Sequence, residues 1–157
     1  LAAEHIDENE EIVLVAADEL VEADLDGIVK AFRARDCDAG VLAFRSVHPR
    51  YSFALLDQDG DVCEVAEKRP ISKHALVSFY YFRSGKDFVR AALNVVRKDR
   101  KINNAFYISQ TINEMILRHA KVGIEFIGND SFHPLKTEMQ LAQYISQLND
   151  HKEGLLH

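Results

Sequence analysis

The chain has 157 residues, 47% hydrophobic and 28% charged, which suits one domain with a sizeable core and leaves no room for an independent second one. Its formal charge of −6 argues against a dedicated nucleic-acid surface, and no apolar run approaches the length of a membrane span. Two cysteines, Cys37 and Cys63, with no secretory apolar segment, point to reduced thiols and cytoplasmic residence rather than to a disulfide framework.

Residues 1–7 read as the last turns of a helix whose beginning is missing. After a turn at Asn9, Glu10 and Glu11, residues 12–16 form an apolar run with the length and composition of a buried strand, expected to be central and parallel. Asp18 and Glu19 stand at its carboxyl end. Asp24 is placed to cap a helix in which Leu25, Ile28, Val29 and Phe32 repeat at helical spacing to about Arg35. Residues 38–45 follow as a strand with both faces apolar, Ala39, Val41 and Ala43 alternating with Gly40, Leu42 and Phe44.

His48, Pro49, Arg50, Tyr51 and Ser52 form a turn into a hairpin. Its strands are residues 51–56 and 62–66, joined antiparallel through Asp59-Gly60, and Pro70 ends the second. Residues 75–82 supply another strand. Ser84-Gly85 opens a helix over 86–98, a basic polar loop covers 99–104, and residues 107–119 form an amphipathic helix with Ile108, Ile112, Met115 and Ile116 inward. A strand over 121–127, a short edge strand over 131–135 and a helix from Thr137 through Leu148 complete the pattern, with 150–157 as a flexible tail. The fold class implied is mixed α/β, a mainly parallel sheet flanked by helices.

Several residues have chemistry to offer. An acidic side chain at the carboxyl end of a central strand lies where open α/β sheets bind ligands, so Asp18 is a candidate Mg²⁺ ligand; it equally suits a turn or helix cap. Glu67 and Lys68 pair an acceptor for sugar hydroxyls with a point charge for phosphate, or else form a solvated strand end. Adjacent strand residues face opposite ways, so both reach one ligand only if the backbone bends there. Arg50 can meet phosphate and Tyr51 a sugar ring, or the pair can belong to a packed proline turn. Seven histidines show no paired ligand spacing, which discounts zinc, and no phosphate-cradling Gly-rich loop or Gly-x-Ser-x-Gly elbow occurs.

Taken in order, residues 13–19 ending in Asp18-Glu19, Pro49-Arg50-Tyr51-Ser52, the Asp59-Gly60 hairpin, Glu67-Lys68-Arg69-Pro70, the strand at 75–82, the segment 104–109 and the closing segment 132–141 resemble the sugar-1-phosphate nucleotidyltransferase family. The resemblance implies part of a nucleotide-diphospho-sugar transferase (Rossmann-like) fold, with residues 1–149 as the carboxyl-terminal portion of one domain and the amino-terminal nucleotide-binding half missing. It implies a reaction joining a nucleoside triphosphate to a sugar phosphate, with release of pyrophosphate. Asp18 would hold Mg²⁺, Asp18 and Lys68 would act in catalysis, and Arg50, Tyr51, Ser52, Glu67, Lys68 and Ser78 would contact substrate. Without the nucleotide half the chain alone would be inactive, and faces deprived of it would favour self-association into a homo-oligomer.

The pattern departs from the family at specific places. Pro134 stands where a second metal-binding Asp is usual and Lys136 where a Gly is; Ser52 and Ser78 stand at frequent glycines, and Ala105 at a Glu. These departures keep a second expectation open: a non-catalytic module that senses a sugar phosphate or nucleotide.

Overall fold

The computed structural model describes residues 2–154. Strands β1 (Ile12–Val15), β2 (Glu19–Val21), β3 (Ala39–Arg45), β4 (Ser52–Leu56), β5 (Val62–Glu67), β6 (His74–Phe82), β7 (Val122–Phe126) and β8 (Phe132–Pro134) alternate with helices α1 (Leu25–Ala34), α2 (Gly85–Arg97), α3 (Ser109–Ile116) and α4 (Glu138–Gly154). The main sheet runs β5-β4-β6-β3-β7, with β1 also on β6, while β2 and β8 make a separate two-stranded ribbon.

Mixed α/β architecture with helices against a mixed sheet agrees with the sequence pattern, but the expectation of a mainly parallel sheet is corrected. Of its pairings only β3 with β7 is parallel; β1–β6, β3–β6, β4–β5 and β4–β6 are antiparallel. The apolar run at 12–16 is corrected in the same way. Among the described residues β1 pairs on one side only, with Ile12 opposite Phe82 and Val15 opposite Phe79, and its exposure alternates, Val13 at 44% and Val15 at 63%. A continuous apolar run satisfies a two-sided and a one-sided strand equally well, and only the neighbours decide between them.

Strand β3, between β6 and β7, is buried from Ala39 to Phe44. Its side chains alternate between two cores. Ala39, Val41 and Ala43 join Tyr80, Phe82, Phe88, Ala91, Ile112 and Met115 on the face covered by α2 and α3. Leu42 and Phe44 join Phe32, Phe53, Phe79, Tyr81 and Phe132 on the face covered by α1. Asp24 caps α1 as expected, accepting from the Gly27 N–H at 2.9 Å, and Ser84 caps α2 through the Asp87 N–H at 3.3 Å. Gly60 takes φ +84 at the hairpin turn, which is why a glycine follows Asp59 there.

Helix α3 does more than fill the core. Its Asn113 side chain accepts from the Val65 N–H at 2.8 Å and donates to the Val65 C=O at 2.7 Å, so one amide stands in for a strand along the open edge of β5. The fully buried Glu114 carboxylate faces Lys98 at 2.7 Å and Arg100 at 3.3 Å, tying α3 to the loop after α2. Cys37 is buried and Cys63 exposed, and both are free thiols.

Candidate functional site

The site forms where the sheet is incomplete. On one edge of β6, β4 pairs only at Ala75 and β1 only from Phe79 onward, leaving the backbone at Ser78 without a ladder partner from either strand. Glu19 fills the gap: its Oε2 accepts from the Ser78 N–H at 2.8 Å and its Oε1 from the Ser78 hydroxyl at 3.1 Å, while the Ser78 C=O receives the Ala16 N–H at 3.0 Å. Over this gap opens a cleft of about 620 Å³ on the α3 side of the sheet, lined among others by Leu14, Glu19, Leu76, Ser78 and Tyr80 on its floor.

One wall comes from the β4–β5 hairpin. Ser52 lies opposite Glu67 in the register, and its hydroxyl donates to Glu67 Oε2; Ser109, the first residue of α3, donates to the same oxygen at 2.8 Å. Among the described residues no hydrogen bond reaches Glu67 Oε1. This leaves one carboxylate oxygen held in place and the other available to a ligand hydroxyl. Buried Tyr80 lies beneath, its phenol pushed up by burial and then by the nearby charge of Glu67, so it stays protonated.

Lys68 reaches the same cleft because its backbone adopts φ +54, a left-handed conformation that a lysine seldom takes. The bend that Glu67 and Lys68 need to share a ligand is therefore in Lys68 itself, one residue before the Arg69-Pro70 step. Its N–H still bonds the Tyr51 C=O at 2.9 Å. Its ammonium donates to the Tyr107 hydroxyl at 2.6 Å and lies 4.8 Å from the ring centroid, a combination that places it at the oxygen-bearing edge rather than over the face; the contact is a hydrogen bond and not a cation–π stack. That bond, more than the charge of Glu67, raises the Lys68 pKa above the ordinary lysine value.

Arg50 and Tyr51 complete the rim. Tyr51 packs edge-on to Phe44 at 5.0 Å and against Phe132 at 6.0 Å, fixed from behind by the α1-side core, and the Arg50 guanidinium sits 5.6 Å from its ring. Arg50 also donates from Nε to His48 Nδ1 at 3.2 Å, which aims an exposed cation along the turn. Opposite, Lys136 follows β8 and pairs with Glu19 at 2.9 Å.

Of the residues the sequence nominated, Arg50, Tyr51, Ser52, Glu67, Lys68 and Ser78 all line this cleft. Asp18 does not. It is exposed in the turn between β1 and β2, and its backbone C=O takes the Leu135 N–H at 2.8 Å. The acidic side chain facing the cleft is its neighbour Glu19, 6% exposed. The polar lining residues that sequence reasoning did not nominate are Glu19, Tyr80, Tyr107, Ser109 and Lys136. The sequence carried signs of them in the Asp18-Glu19 strand end, the strand 75–82, the segment 104–109 and the departure at Lys136, without assigning them a role.

The donor set does not fit a divalent ion held here. Mg²⁺ needs carboxylate or carbonyl oxygens with lone pairs to give. Both oxygens of Glu19 already accept from Ser78 or Lys136, Pro134 carries no carboxylate, and the Lys136 ammonium occupies the space beside Glu19. Among the described residues no group of three or more His, Cys, Asp or Glu side chains converges. Nor is any helix among them long and apolar enough to cross a membrane.

No family model matches the chain, and no curated protein matches it. Solved structures do. A nucleoside-diphosphate-sugar pyrophosphorylase of Vibrio cholerae superimposes with a TM-score of 0.75 at 19% identity, over 93% of this chain and 60% of that one. A Bacillus anthracis protein designated a glucose-1-phosphate thymidylyltransferase, solved with sucrose, superimposes with a TM-score of 0.67 at 20% identity, over 90% of this chain and 55% of that one. The likeness is one of fold, and the chain spans little more than half the length of these neighbours.

Proposed function

We propose that this chain carries the sugar-phosphate side of a sugar-1-phosphate nucleotidyltransferase, and that the cleft over Ser78 holds a phosphorylated sugar. The observation that carries the reading is the convergence of Glu67 and Lys68 on one cleft through the left-handed backbone at Lys68. An isolated charged strand end needs no such conformation, and strain of this kind persists where surrounding structure enforces it. Neighbours of the same fold include proteins designated for sugar-nucleotide chemistry, which supports the same class.

In this reading Glu67 Oε1 accepts from a ring hydroxyl, with Ser52 and Ser109 fixing the carboxylate; Tyr51 lies along the sugar; Lys68 and Arg50 meet the phosphate. The sugar phosphate is the nucleophile, attacking the α-phosphorus of a nucleoside triphosphate in line and displacing pyrophosphate. The cations of the cleft hold it in place and stabilise the charge that builds on the transferring group. The triphosphate would be bound mainly by residues outside this chain, so that residues 1–149 serve as the carboxyl-terminal portion of one cytoplasmic domain. Asp18, exposed beside the cleft, is left no direct role in holding the sugar.

Titration of the chain with glucose 1-phosphate, followed by NMR, tests the reading. We expect saturable shifts at Ser52, Glu67, Lys68 and Ser109, absent with glucose alone at the same concentration and lost in Lys68→Ala. Shifts of equal size for inorganic sulfate, or none, would refute it. A second reading, a sugar-phosphate or nucleotide sensor without catalysis, is favoured by the absence of a carboxylate at Pro134 and Ala105. Pyrophosphate release by the full-length protein from sugar phosphate and a panel of nucleoside triphosphates separates the two: turnover supports the transferase, and binding without turnover the sensor.

A further inference from the structure

The sheet gap, the Glu19 carboxylate and Lys136 form a unit that the sugar reading does not use. Glu19 is 6% exposed, and its two oxygens take the Ser78 N–H at 2.8 Å, the Ser78 hydroxyl at 3.1 Å and the Lys136 ammonium at 2.9 Å. Lys136 is set in place by its backbone. The Leu135 N–H bonds the Asp18 C=O at 2.8 Å, the Lys136 N–H bonds the Gln140 side chain at 3.0 Å, and the Gln140 N–H bonds Thr137 Oγ1 at 3.2 Å, a capping arrangement at the start of α4. A lysine tethered this way reaches the cleft with a side chain still 49% exposed. An ammonium has three donor hydrogens, and Glu19 takes one.

The charges around the cleft follow from this arrangement. Arg50, Lys68 and Lys136 face Glu19 and Glu67, three cations against two carboxylates, in a chain whose formal net charge is −6. Lys68 and Lys136 both line the one cleft. An anion in the cleft would meet the remaining donor hydrogens of both ammonium groups.

Resting on the sugar-phosphate reading of the cleft, we infer that Lys136 takes the place of a divalent ion here, and that Lys136 and Lys68 together hold the phosphate of a phosphosugar without metal. Glu19 is then a positioning residue: it fixes the ammonium and closes the β6 edge, and it gives nothing to a metal. Against the opposing effect of burial, the hydrogen bond and charge of Glu19 raise the Lys136 pKa, and the charge of Asp18 in the turn beside it adds to this.

The test is calorimetric titration of the chain with glucose 1-phosphate, first in EDTA and then in millimolar magnesium. The dissociation constant is expected to agree within about two-fold between the two, and Lys136→Met is expected to weaken binding about ten-fold in EDTA, the scale of one charge-assisted contact. Lys136→Arg, which keeps the charge, should retain most of the affinity. Wild-type binding that tightens about ten-fold or more with magnesium would overturn the inference and leave the cleft reading intact, as would a folded Lys136→Met variant that binds like wild type. Absence of binding in both buffers would refute the cleft reading and the inference with it. The magnesium comparison uses unaltered protein, so it decides the matter even where Lys136→Met fails to fold.

Discussion

Replacing Asn113 by Ala tests how the cleft wall is held. Asn113 makes two hydrogen bonds to the backbone of Val65, at 2.8 and 2.7 Å, and Val65 is 2% exposed. Alanine removes both and leaves a buried N–H and a buried C=O on the outer strand of the sheet. Each orphaned backbone group costs about 1–3 kcal/mol when water cannot reach it. Partial water entry at the edge keeps the sum toward the lower end, about 2–4 kcal/mol. For a domain of this size about 1 kcal/mol moves the melting temperature by about 2–4 °C, so the expected fall is about 5–15 °C by circular dichroism. Asn113→Asp sharpens the test. The carboxylate still accepts from the Val65 N–H but faces the Val65 C=O, which raises its folded-state pKa, because only the protonated acid can donate there. Its favourable contribution is therefore present below the unfolded carboxyl value near 4 and lost as pH rises through the raised folded value. The aspartate variant should recover stability relative to the alanine variant on acidification. Melting of Asn113→Ala within about 1 °C of wild type, or an aspartate variant whose difference from alanine ignores pH, would refute the account of α3 as the partner of β5.

Three further outcomes follow from the same geometry. Glu67→Gln keeps the shape and removes the charge that accepts from Ser52, Ser109 and the ligand, so glucose 1-phosphate binding should weaken about ten-fold or more by calorimetry with little change in melting; equal affinity would remove Glu67 from the site. Gly40→Ala on β3 places a methyl 2.5 Å from the buried Phe32 ring, and chemical denaturation should show a loss of about 1–3 kcal/mol; an unchanged midpoint would mean that the α1 face yields more readily than its packing implies. Glu11 has its pKa lowered, first by its hydrogen bond to Arg33 and then, against burial, by Tyr81, so its contribution is present above the unfolded carboxyl value and lost as pH falls through the lowered folded value. The stability gap between wild type and Glu11→Gln should be full at pH 7 and close on acidification, measured by urea denaturation across pH; a gap that persists in acid would refute the assignment.

Much of the fold was legible because each element announced itself by period and by cap. Asp24, Ser84 and Thr137 mark helix starts where the structure has them, and Asp59-Gly60 marks the hairpin. Strand direction was not legible. The runs at 12–16 and 38–45 look alike as apolar segments, yet β3 lies between β6 and β7 with both faces buried, whereas β1 pairs with β6 and exposes alternate side chains. Nothing in residues 19–21 carries a strand signal, since β2 exists only because β8 returns to pair with it, Leu20 opposite His133.

The same limit explains why the residues named from the sequence lie along one wall of the cleft while the acidic residue named on its floor is displaced by one position. The hairpin wall is local: register places Ser52 opposite Glu67, and the run that ends at Pro70 holds Lys68 beside it. On the floor, alternation carried on from Ile12, Leu14 and Ala16 points Asp18 inward and Glu19 out. The turn at residues 17 and 18 adds a residue out of phase, and with period two a slip of one residue exchanges the faces. Glu19 therefore turns in, finds the unpaired Ser78 N–H and draws Lys136 to it, while Asp18 turns out. A carboxylate satisfied in this way binds a backbone and a lysine, so the single slipped residue converts the floor from a place for a metal ion into a place for a fixed ammonium.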